Sequence, residues 1–128
     1  MATKYEEHVP EKLVWSVSDY RYGVVSLYEK ERFHIFEHHP ELKNNENAIK
    51  ETIADPDIVF PDADYPNRQL FVKSETSASF SPQFKVRTVI EYDDKTLATG
   101  YVVTAIKVKN EGGKGEKPIY TKQEKNDI

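Results

Sequence analysis

The sequence predicts an α+β domain: an N-terminal β-hairpin and two helices packed on a roughly four-stranded antiparallel sheet. Three observations carry that expectation. The stretch "FKVRTVIEY" alternates Phe84, Val86, Thr88, Ile90 and Tyr92 with Lys85, Arg87, Val89 and Glu91, the two-residue period of a strand with unlike faces. The stretch "NNENAIKETIA" sets Ala48, Ile49 and Ile53 at helical spacing behind asparagine caps. Short β-rich runs bounded by turn residues lie on both sides of the helical region.

Taken in order, residues 1–11 are polar and are expected to form a flexible N-terminus, with the domain over 12–109. "LVWSVS" and "GVVSLY", separated by "DYRY", read as a hairpin. "EKERFHIFEHH" has acids and a base in its first turn and Pro40 just past its end, which predicts a short helix. The second helix stops at "DPD", and "IVF" and "RQLFVK" read as strands joined by "PDADYPN". "FKVRTVIEY" and "LATGYVVTAIKVK" then form a hairpin around "DDKT". If Tyr92 pairs with Leu97, Lys85 faces Thr104 and Arg87 faces Val102. Lys85, Arg87 and Thr104 then share one face. Phe84, Val86, Ile90, Tyr101 and Val103 line the other, against Phe33, Phe36, Ile49 and Ile53 of the helices. Residues 110–128 read as a flexible tail, with "PIY" as a point of contact.

The chain has 128 residues, the size of one domain. With 38% hydrophobic and 31% charged residues it can form a globule with a well-solvated surface. No apolar run approaches the roughly 20 residues of a membrane span, and the N-terminus lacks a signal-peptide core, so a cytoplasmic protein with no membrane partner is expected. Cysteine is absent, which excludes disulfide and thiolate chemistry. The net charge of −4 and pI near 5.6 exclude a generalist nucleic-acid binder and leave only a local basic patch with a restricted substrate.

Chemistry concentrates in two places. His34, Glu37 and His38 spell H-x-x-E-H, a pattern in which two helical histidines bind zinc and the glutamate activates water. Pro40 ends the helix where such helices continue, and no later acidic helix offers another ligand, so no metal and no cofactor is expected. His34 and His38 are either solvated or proton-transfer groups. His39, beside Ile35 and Phe36, reads as a buried residue closing the helix. On the final hairpin, Lys85, Arg87 and Thr104 make either an anion site or an ordinary solvent face, which Arg68 and Lys73 would extend.

The order "VWSVSD…GVVSL…FHIFEHHPEL…IKETIADPDIVF…LFVK…KVRTVIEY…GYVVTA" resembles the phage-type branch of the barnase–EndoU–colicin–RelE nuclease superfamily. His34, Ile35, His39, Pro40, Glu41 and Leu42 match its first block. Ile49, Thr52, Ile53, Pro56 and Asp57 match the second, and Thr104 and Ala105 match the last. The likeness covers roughly Val14 to Val108. It implies two helices on a four-stranded antiparallel sheet and a metal-independent, toxin-like RNase of phage or mobile-element origin. It also implies His34 as base or acid, Lys85 or Arg87 as phosphate clamp and Thr104 as hydrogen-bond donor. His38, Arg68 and Lys73 are the candidate substrate contacts. The implied partner is RNA, a host or ribosome-associated RNA included, together with a protein partner such as an immunity protein. Two features depart from the pattern: the acidic balance, and Glu37 and Glu91 close to the implied site, where they repel phosphate. The alternative they open is a catalytically inactive protein- or RNA-binding module on the same fold.

Overall fold

A computed structural model describes residues 12–74, 84–109 and 115–122. The expected flexible segment 1–11, and the tail at 110–114 and 123–128, lie outside the described residues. The elements run β1 (Leu13–Ser18), β2 (Val24–Tyr28), α1 (Glu29–His38), a 3-10 turn (Pro40–Leu42), α2 (Glu46–Ala54), β3 (Ile58–Pro61), β4 (Arg68–Ser74), β5 (Lys85–Tyr92), β6 (Thr99–Val108) and β7 (Tyr120–Thr121). No helix among them is long and apolar enough to cross a membrane.

The α+β class and the two helices agree with the sequence reading, but the sheet does not. It has seven strands in the order β1-β2-β6-β5-β4-β3-β7, with β2 and β6 parallel. The N-terminal hairpin is part of this sheet because the Asp19 turn grips β5 and the start of β6. Val24 N–H donates to the Ala98 carbonyl at 2.8 Å. The Tyr92 hydroxyl donates to Asp19 Oδ2 at 2.6 Å, while Asp19 Oδ1 accepts the backbone N–H groups of Arg21 and Gly23. Only glycine fits position 23, since a Cβ there would lie 2.4 Å from the Leu97 carbonyl oxygen. At the other edge, the tail touches down where "PIY" suggested. Ile119 N–H donates to Val59, Tyr120 pairs with Val59, and the Tyr120 ring sits 4.3 Å from that of Tyr20.

The register of the last hairpin is the second correction. Tyr92 pairs with Gly100 rather than Leu97, and Lys85 with Val108 rather than Thr104. The loop is longer than "DDKT". Asp94 accepts both the N–H and the hydroxyl of Thr96, and Leu97 turns the chain with φ 60°. An irregularity between Val89 and Ile90 then shifts the pairing once more. Val86, Thr88, Ile90 and Tyr92 bury toward the helices as expected. Tyr101 and Val103 do not; Tyr101 opposes Glu91 on the reverse face, and Val103 is the extra residue between Val102 and Thr104.

The core joins Val25 and Leu27 of β2, Ile35 of α1, Leu42, and Ile49 and Ile53 of α2 to Val86, Ile90, Tyr92, Val102 and Ala105. α1 therefore docks through Ile35, its one fully buried residue, with Phe36 packed partly buried beside it. Phe36 is half-buried beneath Arg32, and Phe33 is 63% exposed, contrary to its expected place in the core. His39 is half-buried, not fully buried. It terminates the helix through its N–H to the Ile35 carbonyl, and its Nδ1 lies 3.9 Å from Glu41. Glu46 ties the layers together, accepting from Trp15 Nε1 of β1 at 2.8 Å and from the Arg32 guanidinium of α1 at 3.0 and 3.1 Å.

Candidate functional site

The sheet face turned away from the helices carries a row of polar side chains. Cross-strand partners share a face, so the pairing fixes the row: Arg68 on β4, Glu91 on β5, Tyr101 on β6, Ser26 on β2 and Ser16 on β1. Contacts join it at three places. Arg68 Nε donates to Glu91 Oε1 at 2.7 Å, the Tyr101 hydroxyl to Glu91 Oε2 at 2.8 Å, and Ser16 and Ser26 share a hydrogen bond at 2.8 Å. The Arg68 guanidinium also stacks 4.2 Å over the Tyr65 ring.

Farther along β5 on the same face come Val89, opposed by Leu70 and Thr104, then Arg87, opposed by Val72 and Ile106, then Lys85, opposed by Ser74 and Val108. Lys85 Nζ lies 3.5 Å from Ser74 Oγ. Arg87 and Glu91 are four residues apart, about 13 Å at ~3.3 Å per residue. Thr104 sits between them. The expected companionship of Lys85, Arg87 and Thr104 on one face therefore holds, though their partners differ.

The electrostatics of the row follow from its hydrogen bonds. Arg68, then Tyr101, hold the Glu91 carboxyl below the usual glutamate range, against a smaller opposing effect of burial. In return Glu91, first by its hydrogen bond, pushes the Tyr101 hydroxyl up to about 12. At neutral pH the row is a guanidinium, a carboxylate and a protonated phenol.

The remaining predicted residues lie elsewhere. Lys73 follows Arg68 by five positions on one strand, an odd separation, and so points to the helix side. There it donates to the Asp55 carbonyl at 2.9 Å and pairs with the Asp55 carboxylate at 3.3 Å, a cation at the end of α2. His34 and His38 stand exposed on α1. His34 has ring contacts with Phe33 and His38, and no hydrogen bond or ring contact joins it to Lys85, Arg87 or Thr104. α1 docks through Ile35 on the helix side, while Lys85, Arg87 and Thr104 project from the reverse side.

The sequence reading took Glu91 only as a repulsive charge and placed Tyr101 on the face packed against the helices, whereas it opposes Glu91. Strand alternation already put Glu91 on the Arg87 face. The signal missing was the loop length, which decides that Tyr101 opposes it. Comparison with protein-family models, with curated proteins and with solved structures finds no match to this chain.

Proposed function

We propose that the chain acts on RNA through the helix-free face of its sheet, as a metal-independent, toxin-like nuclease of phage or mobile-element origin. The order of sequence blocks resembling the phage-type barnase–EndoU–colicin–RelE branch supports this reading. One structural observation carries it: Arg68, Glu91, Tyr101, Thr104, Arg87 and Lys85 share that face. Cleavage by the ribose 2′-hydroxyl needs a proton acceptor and a cation at one phosphate. Glu91 and Arg68 supply both. Arg87 and Lys85, about 13 and 20 Å away along the strand, hold flanking phosphates, and Thr104 donates between Glu91 and Arg87.

The Arg68–Glu91 pair gives the step its control. When a phosphate takes over the Arg68 guanidinium, the Glu91 carboxyl loses the main cause of its lowered pKa and becomes a better proton acceptor. Glu91 then takes the 2′-hydroxyl proton as the 2′-oxygen bonds to phosphorus. The bond to the 5′-oxygen breaks, and that oxygen is protonated by solvent. His34 has no part in this reading.

The test is cleavage of a total-RNA pool in the presence of chelator. Glu91→Gln should lose about 10²–10⁴-fold in rate, the usual worth of a positioned acid–base group. His34→Ala should cleave as the wild type does. Loss of cleavage in His34→Ala with full activity in Glu91→Gln would reverse the assignment. A second reading, a binding module without catalysis, is favoured by the two hydrogen bonds that already engage Glu91. Its sign is wild-type protein that binds RNA and cleaves none.

A further inference from the structure

The outer face of α1 carries three donor groups that the RNA reading does not use. His34, Glu37 and His38 bring one ligand atom each to within 4.8 Å of one another, and all three side chains are exposed. The two imidazoles lie one helical turn apart with ring planes only 20° from parallel and centroids 6.4 Å apart. Among the described residues no hydrogen bond or ion pair engages any of the three.

Two nitrogens at 2.0–2.1 Å from one tetrahedral ion stand about 3.3 Å apart. Exposed side chains on one turn reach that spacing by small rotations, without moving the backbone. Their exposure also means that ligation removes little water from buried groups. A second observation points the same way. The three donors end at the last residue of a ten-residue helix, where the unpaired carbonyls favour a cation.

We propose that His34, Glu37 and His38 form a surface site for a divalent transition metal of the imidazole-preferring class, zinc, copper or nickel, rather than magnesium or calcium. The ion is bound by three protein donors and keeps open positions for water. No peptidase chemistry is attached to it, and the site works independently of the RNA-facing side of the sheet.

The experiment is titration of the full chain with zinc by calorimetry, repeated with cobalt(II) so that visible absorption reports the donor set. Wild type should bind one ion per chain. His34→Ala and His38→Ala should each weaken binding by at least about tenfold, and Glu37→Gln by less. His8→Ala and His39→Ala should bind as wild type, which separates this site from the two other histidines. Melting curves without metal should coincide for all variants at the three exposed positions. Equal zinc binding by wild type and the His34→Ala/His38→Ala double variant would overturn the proposal, as would magnesium binding as tight as zinc.

Discussion

Single residues in the interior set two tests of the packing. Thr88 is fully buried on the helix side of β5, and its hydroxyl has no hydrogen-bond partner among the described residues. A buried hydroxyl left unsatisfied costs about 1–3 kcal/mol, whereas an isosteric methyl removes that cost. Thr88→Val should therefore raise the denaturant midpoint, and a lower midpoint would show that the hydroxyl is satisfied after all. Tyr92 is the opposite case. Its hydroxyl donates to the buried Asp19, and burial, then Asp19, pushes its pKa far above the usual tyrosine value. Tyr92→Phe removes a donor to a buried carboxylate and should destabilise by about 1–3 kcal/mol. The same residues mark what the sequence hides. Tyr92 is visible as a strand residue, but nothing local indicates that its hydroxyl meets Asp19, seventy-three positions earlier.

At the level of elements, the strands themselves were legible because alternation and turn residues act locally. β1 falls on "LVWSVS", and β5 and β6 lie within the predicted runs. Their joining was less so, since the parallel contact of β2 with β6 depends on distant hydrogen bonds from the Asp19 turn. The misjudged loop before β6 illustrates how register and face separate. The partner of Lys85 moved by four residues, an even shift that leaves Thr104 on the Lys85 face. The partner of Tyr92 moved by three, an odd shift that turns Tyr101 over. Helix packing offers a test through Glu46. Burial raises its carboxyl pKa, but hydrogen bonds from Arg32 and Trp15 and the charges of Arg32 and Lys50 outweigh it and lower the net value. The stability this adds is present above the ordinary glutamate range and is lost as pH falls through the lowered value. Glu46→Ala should cost about 1–3 kcal/mol at neutral pH, chiefly by stranding the Trp15 N–H. The gap to wild type should narrow on acidification by the ionic share that Arg32 and Lys50 contribute, since a protonated carboxyl still accepts from Trp15; a gap that widens toward low pH would contradict this role.

For the molecule as a whole, the acidic balance and the cations on one sheet face are compatible because they act at different ranges. A net charge of −4 opposes long-range attraction to nucleic acid, while Arg68, Arg87 and Lys85 act at contact distance on rigid strands. Binding of single-stranded RNA should then weaken with salt at a logarithmic slope near −0.7 for each phosphate held, so about −2 for three cations. The face itself was partly legible, since alternation alone put Lys85, Arg87 and Glu91 together. The helix histidines were drawn toward it by the block pattern, and the docking of α1 on the opposite side of the sheet sets them apart. The most direct measurement is a backbone amide chemical-shift map of the protein titrated with a short RNA in chelator, using the Glu91→Gln variant to keep the RNA intact. Shifts centred on Arg68, Arg87, Glu91, Tyr101 and Thr104, with α1 unperturbed, are the predicted result. Shifts centred on His34 and His38 with β5 unperturbed would contradict the account.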